Sequence, residues 1–236
     1  MTAVFRREFR SFFASPIGYA VLALLLAVSG YYFTAYNLIY LALDLSGVFS
    51  ALYTVSSLLV LPILTMRLFS EEKRQKTDQA LLTAPVSLTG AVIGKFLSAL
   101  LVFAIGISVT LVYAIVLATA GTPEWLMILG NYLGLLLFGG MIIAAGLLFS
   151  CLTESQLVAA LCTFTFSLLL NLIDSLTSLL PSSKVVEAVV GFLSVSTRYQ
   201  DFVQGTIQYD NILFFLSMQV LFLFLTVRVL DRKRWS

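Results

Sequence analysis

From Trp125 to Ser150 the chain carries no charged side chain, and from Ala91 to Thr119 it carries one, Lys95. Apolar runs of about 20 residues are long enough to cross a bilayer as helices. In hydrocarbon every backbone N–H and C=O must be satisfied internally, which leaves helices as the form open to such runs. Six runs are predicted to span, at 17–36, 47–66, 91–119, 125–150, 157–173 and 211–230. The fold class that follows is all-α integral membrane. Composition agrees, with 60% of residues apolar and 11% charged, against about 25% charged in soluble domains. Six spans fill most of 236 residues, so residues 1–236 read as one membrane domain with no separate catalytic one.

The segments between the runs are as informative. Phe5, Phe9, Phe12 and Phe13 share one face of a helix over 3–14, with Arg6, Arg7 and Arg10 on the other. Aromatic on one side and basic on the other suits a helix lying in the membrane interface, and Ser15-Pro16 ends it. Residues 1–16 are therefore read as an interfacial elbow rather than a signal peptide, since the next run is too long and lacks a cleavage site. Tyr31, Tyr32, Tyr36 and Tyr40 form an aromatic belt at the far end of the first span. Pro62 is expected to kink the second span. Gly130, Gly134, Gly139, Gly140 and Gly146 give the fourth span a small-residue face, read as close packing inside the bundle rather than a dimer seam. Residues 174–209 read as short amphipathic helices on or in the outer leaflet, with Val185, Val186, Val189, Val190 and Leu193 at helical spacing.

Basic residues set the orientation. Arg6, Arg7, Arg10, Arg67, Lys73, Arg74, Lys76, Lys95, Arg228, Arg232, Lys233 and Arg234 fall on one side of a six-span arrangement, and Lys184 and Arg198 on the other. The positive-inside rule then puts both termini and the 67–90 loop in the cytoplasm of a cell, with the chain multi-pass in the membrane.

Candidate chemistry is sparse. The chain has no histidine, which removes the usual metal ligand and the usual acid–base group near neutral pH. Gly90-Ala-Val-Ile-Gly94-Lys95-Phe96 is one residue short of a phosphate-binding loop and has Phe where Ser or Thr must meet magnesium. Lys95 is read as an anchor at the headgroup level. No set of buried ionisable residues marking an ion pathway is evident. Asn37, Asn131, Asn171 and Gln219 are read as making interhelical hydrogen bonds, and Cys151 and Cys162 as packing residues. No catalytic, cofactor-binding or metal-binding residue is assigned, and nothing points to nucleic acid.

What remains is the polar island Met66-Arg-Leu-Phe-Ser-Glu-Glu-Lys-Arg-Gln-Lys-Thr-Asp-Gln-Ala-Leu-Leu-Thr-Ala-Pro85. Its helix formers suit a helix over about 70–82, held between two spans as a rigid handle. On composition alone a solvated loop that merely obeys the positive-inside rule fits equally well.

The island, with Val86 after it and then Ile93-Gly-Lys-Phe96, resembles the signature of type-2 ABC exporter permeases. The likeness is nearest to the gliding-motility-type and copper-processing-type branch, and Arg7-Glu-Phe-Arg-Ser-Phe-Phe-Ala-Ser-Pro-Ile-Gly-Tyr19 and Tyr199-Gln-Asp-Phe-Val-Gln-Gly-Thr-Ile207 look similar to it as well. The resemblance implies a non-catalytic transmembrane subunit in a bacterial inner membrane. Its coupling helix would sit in a cleft of a separate ABC ATPase, present in two copies, which binds ATP and magnesium. It implies a second permease copy or a paralogue, and a membrane-anchored extracytoplasmic companion. By position Glu71, Glu72, Lys73, Arg74, Thr77, Gln79 and Leu82 would lie at the ATPase-coupling interface, and Phe5, Arg6, Phe9 and Arg10 in the elbow. Lys76 stands where the family usually has glycine, and Gln79 where it usually has glutamate. The function implied is ATP-driven export; the alternatives are transmission of motion to an extracytoplasmic partner, or a stand-alone carrier.

Overall fold

The computed structural model of the protein describes residues 2–40, 42–76, 87–177, 194–206 and 208–235. Among them every regular element is helical, and six helices are long and apolar enough to cross a membrane. The elbow α1 (Thr2–Ala14) ends at Ser15, and Pro16 opens α2 (Pro16–Tyr32), where its missing N–H costs nothing. The α2 helix continues as a π-helical segment, Phe33–Ile39, so the first span is longer than its sequence limits.

The second span is built from α3 (Ser46–Val55), a π-helical stretch Ser56–Val60 and α4 (Leu61–Thr65), and runs through turns at 66–69 into α5 (Ser70–Arg74). Pro62 lies at the start of α4 and has no N–H for the preceding turn. The widened π turn just before it is where the ladder adjusts. The third span divides at Ser108 into α6 (Leu88–Ile107) and α7 (Val109–Ala120). The Ser108 N–H is shared between the carbonyls of Ala104 at 3.0 Å and Ile105 at 3.3 Å, and such an interruption is a physical cause of bending. The fourth and fifth spans are α8 (Trp125–Leu152) and α9 (Gln156–Thr177). The sixth is α11 (Tyr209–Trp235), preceded by α10 (Val195–Val203).

The centre of the bundle is α8, against which α4, α6, α9, α10 and α11 all pack. Between helices in lipid, association is driven by close packing rather than by a difference in hydrophobicity. The glycines on α8 are where it is achieved. A Cβ at Gly134 would lie 2.7 Å from the Phe202 ring, one at Gly140 2.8 Å from Gln219 Nε2, and one at Gly146 2.6 Å from Thr65 Cβ. All three neighbours belong to this chain, so these positions of the small-residue face are used inside the bundle.

The polar residues divide differently from the sequence expectation. Gln219 bonds across helices to the Leu137 carbonyl at 2.9 Å, and Asn131 reaches the Val203 carbonyl at 3.4 Å as well as Met127 in its own helix. Asn37 instead closes the loop after the first span, donating to the carbonyls of Ala42 and Asp44, and Asn171 bonds back to Ser167 within α9. Cys151 is a buried packing residue and Cys162 is half-buried, and neither is in a disulfide.

The amphipathic α10 turns its apolar face into the bundle and leaves Thr197, Gln200 and Gln204 exposed. It inserts Val195, Tyr199, Phe202 and Val203 into the bundle, with the Tyr199 ring stacked on Tyr53 at 4.3 Å. The valine series 185–190 and Leu193 lie outside the described residues.

Gly146→Ala is expected to lower the melting temperature of the detergent-solubilised protein. Overpacking costs about 1–3 kcal/mol, against about 1 kcal/mol of helix propensity gained. Gly47→Ala, whose Cβ would meet Tyr36 at an ordinary 3.8 Å, is expected to leave it unchanged or raise it. Equal effects at the two sites would contradict packing on α8 as the determinant.

Candidate functional site

At the end of the bundle that carries both termini, α1, α5 and the start of α6 meet around one buried lysine. Lys95 enters α6 two turns after its N-cap Ser87, whose hydroxyl accepts from Gly90 N–H at 3.3 Å. The expectation that Lys95 snorkels to headgroups is wrong: it is 1% exposed. Its ammonium lies 3.0 Å from Glu8 Oε1 and 3.0 Å from Glu72 Oε1. It donates to the Leu68 carbonyl at 2.7 Å and stands 5.0 Å over the Phe69 ring. The physical reason is that α1 and α5 both cover this face of α6. Lys95 thereby loses its route to water, and each covering element supplies a carboxylate.

Arg7 completes the cluster, 2.7 Å from Glu8 Oε1 and 2.6 Å from Glu72 Oε1. Two cations and two anions make a neutral group. That balance is what makes burial tolerable, because an isolated charge out of water carries a penalty of several kcal/mol. Burial pushes the Glu8 carboxyl up, but the Lys95 charge and the hydrogen bonds from Arg7 and Lys95 outweigh it and hold Glu8 below the usual carboxylate value. The sequence reading found no buried ionisable set; here one exists, at the helix ends rather than mid-membrane.

A third cation ties the same parts together. Arg67 donates to Ser11 Oγ at 2.6 Å and to Ser15 Oγ, pairs with Glu71 at 3.3 Å and lies 5.5 Å over the Phe12 ring. Glu8, Ser11 and, just past the end of α1, Ser15 recur at helical spacing, so the elbow has a third face, polar and inward, between its aromatic and basic ones. The N–H groups of Phe69 and Ser70 both donate to Ser150 Oγ at 3.0 Å, and the Ser150 hydroxyl donates to the Met66 carbonyl at 3.2 Å. Lys73 donates its ammonium to the Cys151 carbonyl. The end of α8 is thus capped by the base of the island.

The sequence-designated residues fall into three groups. Glu71, Glu72 and Lys73 are turned inward and used by the fold, whereas Arg74 is exposed. Thr77, Gln79 and Leu82 lie outside the described residues. In the elbow, Phe5 and Phe9 stack at 6.1 Å and are half-buried, while Arg6 and Arg10 are exposed. Glu8, Ser11, Arg67, Lys95 and Ser150 were missed as members of one site. An acid inside a basic helix, and a lysine two turns into an apolar span, were the signals.

An unbroken helix over 70–82 is not what forms. The α5 helix stops at Arg74, Lys76 N–H bonds to the Lys73 carbonyl at 3.0 Å, and Lys76 has φ +56°. That left-handed conformation turns the chain off the helix axis and is one a Cβ opposes.

Residues 19–230 match the model of the family described as "ABC-2 family transporter protein". No curated protein matches the chain.

Three outcomes are expected. Lys95→Met, which leaves Glu8 and Glu72 with Arg7 as their one shared cation, should destabilise the protein by about 3–5 kcal/mol, read by denaturation in detergent. Glu8 is held below its ordinary value of 4.5. Its stabilising contribution is therefore complete above that pH and is lost as pH falls through the lower native value; Glu8→Gln should flatten this part of the profile. Separately, Lys76→Gly should raise stability by about 1 kcal/mol by relieving the left-handed residue, and a loss on this substitution would contradict the turn.

Proposed function

Because this chain belongs to the ABC-2 transporter family, in which it is the membrane-spanning permease subunit of an ABC transporter, we propose that residues 67–90 receive force from a separate ATPase and that the complex exports its substrate. The observation that carries this reading is the Glu8–Lys95–Glu72 junction. A solvated loop needs no buried ion cluster beneath it; a segment that must transmit displacement does.

In this proposal residues 1–236 act as one permease domain without catalytic chemistry of its own. ATP and magnesium are held by the partner, two ATPase copies serve two permease chains, and a membrane-anchored extracytoplasmic companion completes the assembly. Both termini face the cytoplasm across a bacterial inner membrane, which the exposed Arg6, Arg7, Arg10, Arg74, Lys76, Arg228 and Arg232 at this end of the bundle support. Closure of the ATPases on ATP moves the exposed side of α5 and the residues after it, Thr77, Gln79 and Leu82 among them. The displacement then divides. Glu72 and Lys95 carry it into α6, Ser150 and the Cys151 carbonyl carry it into α8, and Arg67 carries it into the elbow. The inward-turned Glu71, Glu72 and Lys73 transmit, and Arg74 with its exposed neighbours makes the contact.

The test is co-expression with the products of the neighbouring genes, followed by affinity capture and stoichiometry. One ATPase per permease chain is expected. Arg74→Glu should reduce capture by about tenfold or more, the order of a lost charge-assisted contact, with the melting temperature unchanged. Full capture by Arg74→Glu, or transport in vesicles lacking any ATPase, would refute the proposal.

A further inference from the structure

On the membrane-facing side of the bundle, α6 and α11 leave a groove of about 460 Å³ between them. Its walls are Val92 and Ile93 from α6 and Val220, Leu223, Phe224 and Val227 from α11. Ile93, Val220 and Phe224 are exposed, as apolar side chains facing acyl chains are. The end of the groove nearest the termini is different in kind. Thr89, Arg228 and Asp231 line it, and the Arg228 guanidinium is held 5.0 Å over the Phe224 ring. Arg228 and Asp231 are three apart on a helix and so share a face. Among the described residues neither forms an ion pair with another side chain.

We infer that this groove is a phospholipid site selective for a phosphatidylethanolamine headgroup. An acyl chain lies along the valine, leucine and phenylalanine walls, the phosphate accepts from Arg228, and the primary ammonium donates to Asp231. The charge pattern selects the occupant. An anionic phosphatidylglycerol satisfies Arg228 and leaves Asp231 facing a phosphate without compensation. A phosphatidylcholine headgroup has a quaternary nitrogen with no proton to donate. Basic pockets between spans are general sites for acidic headgroups; the carboxylate here changes that preference. The inference depends on α6 and α11 crossing the bilayer and not on any ATPase.

Native mass spectrometry of the detergent-released protein, titrated with each of the three phospholipids, tests it. Phosphatidylethanolamine should be retained about tenfold better than either competitor, the order of one hydrogen bond to a charged group. Arg228→Gln and Asp231→Asn should each erase that preference, and Val227→Trp, which fills the groove, should reduce retention of all three. Melting temperatures near wild type show that the variants are folded; should one lose its fold, the headgroup comparison on the wild-type chain decides alone. Equal retention of the three lipids, or a preference that survives both charge substitutions, would overturn the inference. So would efficient Ile93→Cys cross-linking between two copies, since a second chain would then fill the groove.

Discussion

A lysine ammonium removed from water must be neutralised where it stands, and the terminal end of this bundle is arranged around that requirement. Lys95 draws one carboxylate from the elbow and one from the segment after the second span, with Arg7 balancing the second negative charge. Three elements far apart in sequence thereby become one body. Coulombic interaction at these separations is strong only because water is largely excluded. The Phe69 ring over the lysine and the packing of α1 on α6 belong to the same device as the charges.

The rest of the bundle uses a different physics. Along α8 nothing is charged, and close approach does the holding. Glycines accept Phe202, Gln219 and Thr65 at distances no Cβ permits. Apolar side chains facing lipid gain little from burial against one another, so shape decides which helix sits where. At the end opposite the termini the rings of Tyr53, Phe138 and Tyr199 hold α10 in place. Arg198, Asn211 and Asp201 join α10 to the start of the last span.

The spans were legible because run length and the absence of charge are local properties, readable without knowing any neighbour. The elbow and the internal use of the α8 glycines were legible for a similar reason, since helical spacing alone places their side chains. The site was legible only in part. Lys95 near the start of an apolar run carries the same local pattern whether it snorkels or is buried. The difference lies in Glu8 and Glu72, which only the tertiary fold brings within 3.0 Å. The helix end at Arg74 was hidden because the residue that makes the turn is a lysine, a good helix former, in a position where glycine would have announced it. The inserted pose of α10 was hidden because an amphipathic face fits a leaflet and a bundle equally well.

The two ends are joined by α8, whose 28 residues span about 42 Å at the rise of an α-helix. Ser150 and Cys151 fix its one end to the base of the island through hydrogen bonds. Gly134 and Asn131 meet α10 near the other, through the Phe202 ring and the Val203 carbonyl. Directional hydrogen bonds, the one from the Lys73 ammonium charge-assisted, resist sliding, whereas packed helix faces accommodate small shear displacements. If α5 receives force as proposed, the hydrogen-bonded end of α8 is where the push enters, and its glycine face is where a small sliding of helices can follow it. On that proposal the ion cluster and the glycine face are complementary: the first keeps a push on α5 from bending the loop alone, and the second lets α8 move against its neighbours.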